Sequence, residues 1–272
     1  MIRKNKKLEK IANELRLDLV KLVHKSKTAH LGSSLSCMDI LVTLYFSKFG
    51  LLKSLNNRNN PTNTFTLSKG HAAPALYTVL KKRKIISNKL LNSYSEPGSP
   101  LEEHPNPKIK GVLVASGSLG HGLSFAAGFS LSDKINNKKY YHFVLMSDGE
   151  CNEGSVWEAA MFIPGKKLNN ILVFIDCNQW QATDRTKDVL KFEPISDKWK
   201  SFGWKVKEIN GHNFKALEKV LKEFKKKPSA TVVICRTIKG KGISFMENNN
   251  LWHYRSPNNI ELEKAKKELK IL

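Results

Sequence analysis

Asp148 and Asn178 stand thirty residues apart, each just beyond an apolar run, and pair a carboxylate with a side-chain amide. The first run, residues 140–146, and the second, residues 171–175, have the length and unbroken apolarity of strands buried on both faces. Residues 153–162 open a stretch in which Val156, Trp157, Ala159, Ala160 and Ile163 recur at helical spacing, so the unit reads strand, helix, strand. Such a crossover makes the two strands parallel. In open parallel sheets ligands gather at the carboxyl ends of the strands, where Asp148 and Asn178 would both lie. Mg2+ takes hard oxygen donors, one or two from the protein and the rest from phosphates and water. The first chemistry suggested is therefore a divalent cation carrying a diphosphate. Gly149 would let the backbone approach a phosphate, and the helix beginning near Glu153 would offer it free N–H groups. Taken singly, an Asp-Gly turn and a loop Asn are ordinary features; it is their combination that points to a site.

The rest of the chain supplies the elements that must position this pair. Leu8, Ile11, Ala12, Leu15, Leu19 and Leu22 recur at helical spacing among acidic and basic residues, which predicts an amphipathic helix at the amino terminus. Ser36-Cys37-Met38-Asp39 before residues 40–44 reads as a capped helix start, and residues 87–94 as a short helix. Residues 56–63 form a polar loop, and the small-residue-rich stretch 119–135 a buried helix. Residues 204–209 and 231–235 read as strands flanking a Lys-rich helix at 214–225, and the residues after Pro257 as an exposed helical tail. Pro164 is expected to break the helix that follows Glu153 early. Helix and strand alternate in the manner of an α/β fold, an open and mostly parallel sheet with helices on both faces. Residues 1–272 are expected to form one domain, with an amino-terminal helical segment and the carboxyl-terminal tail.

Composition narrows the function classes. The net charge of +22 suggests a polyanion, but it is carried by 39 Lys against 7 Arg in a chain that also holds 23 Asn. Phosphate and base recognition recruits Arg forks, so nucleic acid is an unfavoured partner and the charge is better suited to phosphorylated sugars or an acidic partner chain. Cys37, Cys151, Cys177 and Cys235 are scattered without a Cys-x-x-Cys pair, which suggests reduced thiols rather than a zinc site or a disulfide framework. No window reaches the length of a membrane span, and the start of the chain lacks the features of a secretory or transit peptide. A cytoplasmic protein is expected.

Further motifs identify a family. Ser26-Lys27-Thr28-Ala29-His30-Leu31-Gly32-Ser33-Ser34, Leu67-Ser68-Lys69-Gly70-His71 and Gly117-Ser118-Leu119-Gly120-His121-Gly122 resemble the amino-terminal region of transketolases. So do Glu153-Gly154-Ser155-Val156-Trp157-Glu158 and Lys239-Gly240-Lys241-Gly242 followed by Trp252-His253, in the family's order. The Asp148 and Asn178 segments resemble the thiamine diphosphate signature, with Ser147 replacing its first Gly and Cys177 its first Asn. The resemblance implies the thiamine diphosphate-binding fold. It implies that Asp148, Asn178 and the Trp180 main-chain carbonyl hold Mg2+, with Ca2+ or Mn2+ as substitutes. It places Gly117, Ser118 and Leu119 against the aminopyrimidine of the cofactor and His71, Gly149 and His253 at its binding site, and counts Glu153 and Glu158 among cofactor-site acids near the subunit contact. It makes His30, His71, His104 and His253 the catalytic histidines, which bind substrate hydroxyls, contact the diphosphate and move protons, as suits a side chain titrating near working pH. His24, His142 and His212 are read as structural, and His121 fits either role.

The activity implied is transfer of a two-carbon ketol unit from a ketose to an aldose, with the cofactor as electron sink. The match stops where the first domain of single-chain transketolases ends, so the chain resembles the separate amino-terminal subunit of a split enzyme. Such a subunit would need a carboxyl-terminal partner carrying the pyrimidine domain and its activating Glu, in an α2β2 assembly. Three other readings stand beside this one: a deoxyxylulose-phosphate synthase, a dehydrogenase E1 α-type subunit, and a non-enzyme, either an orphan cofactor-domain scaffold or a nucleic-acid binder.

Overall fold

The computed structural model describes residues 2–50 and 63–271. Five parallel strands form one sheet in the order β1-β2-β3-β5-β4: β1 (Thr64–Leu67), β2 (His142–Ser147), β3 (Ile171–Cys177), β4 (Lys205–Asn210) and β5 (Thr231–Arg236). The described helices are α1 (Ile2–Ser26), α2 (Leu31–Ser36), α3 (Met38–Phe46), α4 (Ala73–Lys82), α5 (Asn88–Asn92), α6 (Gly122–Ile135), α7 (Gly154–Gly165), α8 (Thr186–Val189), α9 (Ile195–Ser201), α10 (Phe214–Lys226) and α11 (Asn259–Ile271). Every residue of β2 and β3 is buried, which is why both runs are unbroken in their apolarity: helices cover both faces. Phe143, Leu145, Leu172 and Phe174 pack on one side with α1, α3, α4 and α10; Val144, Met146, Val173 and Ile175 pack on the other with α6, α7 and α9. β1 and β4 are the edge strands, and β4 is only half-buried. Ser147 pairs in register with Asp176, and Cys177 with Arg236, so the polar residues that follow the strands emerge level with one another.

Several expectations need correction. Ser36 does not cap α3; that helix starts after Cys37 without a side-chain cap, and the Ser36 hydroxyl donates instead to Asp176 at 2.5 Å. Pro164 does not end α7 early, since the helix runs to Gly165. A proline there has no N–H for the carbonyl four residues back, and the Trp204 indole N–H donates to that Ala160 carbonyl at 2.8 Å, so the gap in the ladder is filled from outside. The 119–135 stretch becomes helical only at Gly122, and one face is open, with Phe125 45% exposed. The carboxyl-terminal helix is not an exposed tail: Leu262, Ala265 and Leu269 are buried in the core, and α11 packs along α1. Of the polar loop expected at 56–63, residues 56–62 lie outside the described residues. The expected strands and the helices at 40–44, 87–94 and 214–225 fall within two residues of their expected limits, while α1 runs beyond the expected Leu8 to Leu22 stretch at both ends. Ser87 does cap α5, accepting from the Leu90 N–H.

Candidate active site

Four histidines from four separate segments meet beside the carboxyl ends of the strands. His30 lies 5.1 Å from His253, 5.6 Å from His71 and 6.1 Å from His104, centroid to centroid, and His71 lies 5.9 Å from His253. His30 precedes α2 in the left-handed backbone region, at φ 68°, and its N–H donates to the His253 carbonyl at 2.7 Å. That conformation is costly for a side chain larger than glycine and persists because the surrounding bonds hold it. His71 sits in the short 3-10 turn Gly70–Ala72 after β1. His104 lies against Gly117, where a Cβ would come within 3.1 Å of its ring, so the glycine makes room for the imidazole. Burial pushes the His30 and His71 pKa values down, His71 well below the usual value, and the cationic Lys239 and Lys69 nearby push the same way. Burial and Lys239 bring His253 to about 3. These three rings are neutral imidazoles at neutral pH.

Next to the histidines lies the carboxylate and amide pair. Asp148 is fully buried; its Oδ1 accepts from the Gly149 N–H at 2.9 Å, and its Oδ2 from the Gln179 N–H at 2.8 Å and the Thr186 hydroxyl at 3.0 Å. Burial and the Asp176 charge raise its pKa to about 6. Asn178 accepts from the Trp180 N–H at 3.0 Å through Oδ1, while its Nδ2 faces Ser36 and Asp176. Asp148 also walls a cavity of about 610 Å3 that continues past Cys177, Thr186, Glu193 and Arg236. A 3-10 turn, Gly149–Asn152, separates Asp148 from α7, so the N–H groups nearest to it belong to that turn and not to the helix.

Beneath both groups runs a buried polar network that sequence reasoning did not single out. Lys69 pairs with Asp176, with both side chains wholly inside, and also donates to the Ser33 carbonyl at 3.0 Å. Asp176 accepts in addition from Ser36 and from Thr237, each at 2.5 Å. Glu150, buried beside Ser147, accepts from the Ser68 hydroxyl and from the Gly120 N–H at 2.9 Å, which ties the 117–120 turn to the end of β2. Lys239 is fully buried and is pushed down to about 7 by burial and by Lys69. The signal was present: Lys69, Glu150, Asp176 and Lys239 each sit inside or beside a motif already quoted. A motif does not tell which of its members face inward.

Of the other expected residues, Gly117, Ser118 and Leu119 lie on the turn before α6, next to His104. Glu153 lies against Gly120, and Glu158 is exposed on α7; neither is bonded to the histidines. His24, His142 and His212 are held by the Pro257 carbonyl, by Asp133 with Thr64, and by Asp39, as structural histidines would be. The four cysteines are free and buried, and burial raises their pKa values.

Residues 7–271 match the family described as the transketolase thiamine diphosphate binding domain. The chain belongs to the transketolase family. It is 37% identical over 268 residues to an apulose-4-phosphate transketolase subunit of Phocaeicola vulgatus, covering 96% of this chain and 93% of that one. It is 35% identical over 254 residues to a 6-deoxy-6-sulfo-D-fructose transketolase subunit of a Clostridium species, covering 90% of each. Its fold matches the crystal structure of Campylobacter jejuni transketolase with a TM-score of 0.88 at 26% identity, over 97% of this chain and 42% of that enzyme. The match to a transketolase thus spans whole relatives named as subunits and about two-fifths of a longer chain. Transketolases use thiamine diphosphate and a divalent metal to transfer two-carbon ketol units.

The residues of this transketolase chain fit that metal. The three donors to Asp148 are all neutral, and the ion pairs among the described residues include none to it, so its buried charge has room for a cation. Asn178 Oδ1 keeps a lone pair beyond the one given to Trp180. No group of three or more His, Cys, Asp or Glu residues able to hold a metal occurs among the described residues. A cation here would rest on one carboxylate, neutral oxygens and phosphate, which is the donor set Mg2+ prefers. No helix of the described residues is long and apolar enough to cross a membrane.

Proposed function

We propose that this chain is the cofactor-binding subunit of a two-chain transketolase acting on sugar phosphates. The observation that carries the reading is the convergence of four histidines on the strand ends that bear Asp148 and Asn178. When bound, thiamine diphosphate supplies the electron sink for breaking and forming the carbon–carbon bond. Asp148, Asn178 and the Trp180 carbonyl would hold Mg2+, and the backbone at Gly149 would pass close to the diphosphate. Gly117, Ser118 and Leu119 would meet the aminopyrimidine, with Glu153 and Glu158 toward the subunit contact. His30, His71, His104 and His253 would line the substrate channel. Neutral imidazoles there can donate to hydroxyl and carbonyl oxygens, while the Lys69–Asp176 pair beneath them holds Ser36 and Asn178 in place.

The partner would bring the pyrimidine-side residues, including the activating Glu. The two relatives reported above, matched over 93% and 90% of their length, are named as subunits, and α6 and α7 leave Phe125, Met161 and Phe162 exposed on neighbouring helices, a face suited to a second chain. We place the assembly in the cytoplasm as an α2β2 heterotetramer. The test is coexpression with a chain carrying a pyrimidine-type domain. Ketol transfer requiring both chains, Mg2+ and thiamine diphosphate supports the reading; transfer by this chain alone overturns the two-chain part, and a pure complex without transfer overturns the activity.

A further inference from the structure

Lys239 is a buried cation with three hydrogen-bond partners and no carboxylate among them. Its side chain is fully inside, and its Nζ lies 2.6 Å from Asn250 Oδ1, 3.1 Å from His253 Nδ1 and 3.3 Å from the Gln181 carbonyl. The place is built for it. A Cβ on Gly32 would come within 3.1 Å of the Lys239 Cγ, so any larger residue there would press on the lysine stem. The backbone on either side is pinned, with the Gly240 N–H on the Gly32 carbonyl at 2.9 Å and the Asn248 N–H on the Lys239 carbonyl at 2.9 Å. An ammonium removed from water loses much solvation, and three neutral acceptors only partly replace it. Stability alone does not account for putting it here.

An ammonium has three donors and no acceptor. The Gln181 carbonyl can only accept. Asn250 must also present its oxygen, because its Nδ2 donates to the Ala182 carbonyl at 2.9 Å. The third N–H then meets His253 Nδ1, which makes that nitrogen the bare one of the ring; the Ser33 hydroxyl, 3.4 Å from the same nitrogen, can donate to it as well. We propose that Lys239, as the ammonium, is the positioning residue that fixes His253 as the Nε2–H tautomer, making it a hydrogen-bond donor on the side of the ring away from Lys239. The His253 main chain is held separately, through its carbonyl on the His30 N–H, so ring position and ring tautomer have different supports.

The inference refines the transketolase reading given above. A histidine locked in this way donates to an acceptor oxygen, anionic on phosphate or neutral on a sugar carbonyl, but does not collect a proton at Nε2. General-base work falls to the other histidines. His30, whose Nδ1 lies 3.8 Å from Glu103 Oε2, has a carboxylate at hand to support a charged ring.

Long-range 1H–15N correlation spectra of the uniformly 15N-labelled full chain, without cofactor, test this. They are recorded at about pH 6, below the Lys239 titration, with His253 assigned by the signal lost in His253→Asn. The wild-type chain is expected to show Nδ1 as a bare imine-type nitrogen and Nε2 as protonated. Lys239→Met is expected to move both shifts toward an average of the two tautomers, and Lys239→Gln, whose amide N–H can donate to Nδ1, to restore the wild-type pattern. An Nδ1–H tautomer in the wild-type chain overturns the proposal, as does a wild-type pattern in folded Lys239→Met. Should Lys239→Met fail to fold by circular dichroism, the wild-type tautomer decides alone. Because the measurement uses neither cofactor nor partner, its failure leaves the transketolase reading intact, and loss of that reading by the coexpression assay leaves the tautomer result standing.

Discussion

At the scale of residues, burial holds His71 and His253 neutral and leaves Asp148 outside the ion pairs among the described residues. His71 and His253 have depressed pKa values, so between the ordinary value of 6.5 and the folded one the unfolded chain binds protons that the folded chain does not. Stability is therefore expected to fall as the pH drops below 6.5. Urea midpoints measured at successive pH values should show that decline, and His71→Asn should flatten it. Asp148 is the converse case, a buried carboxylate whose three hydrogen-bond donors are all neutral. Asp148→Asn keeps the size and is expected to weaken Mn2+ binding in the presence of thiamine diphosphate by at least about 10- to 100-fold, read by electron paramagnetic resonance titration. An unchanged affinity would place the metal elsewhere.

At the scale of elements, α7 shows how a local rule is met by a distant residue. Pro164 removes the ladder donor to Ala160, and Trp204, just before β4, supplies another. Trp204→Phe leaves a buried carbonyl unpaired and is expected to cost about 1–3 kcal/mol of stability by urea unfolding. In a Pro164→Ala background the helix regains its own N–H donor, so the same substitution should cost less. Equal costs in both backgrounds would mean that the tryptophan acts through its volume alone. Pro164 was visible in the sequence, but its compensation spans forty residues of chain and appears only when α7 and β4 are packed together.

At the scale of the whole molecule, one end of the sheet carries the polar site and one flank carries an incomplete apolar surface. Phe125, Met161 and Phe162 are between 38% and 61% exposed, unlike the helix faces turned to the sheet. Met161→Glu is expected to weaken assembly with the partner chain by at least about tenfold while leaving the circular dichroism of the isolated chain unchanged, since a charge buried at an interface core without a counterion costs at least about 1.4 kcal/mol. Size-exclusion chromatography of the mixed chains checks it. Assembly as tight as wild type would move the interface off this face.

What the sequence determined by itself was the alternation of strand and helix, the strand-end placement of Asp148 and Asn178 and the family, because unbroken apolar runs, helical spacing and short motifs are local in the chain. The four-histidine convergence was legible only through the resemblance, since nothing in the spacing of His30, His71, His104 and His253 brings them together. The tertiary structure alone decided that α11 is buried on α1, that Ser36 serves Asp176 and not a helix end, and that Lys69 and Lys239 point inward. A lysine reads as surface until its acceptors are known. Those acceptors, Asp176 for Lys69 and His253 with Asn250 for Lys239, come from other segments that only the folded sheet brings within hydrogen-bond reach.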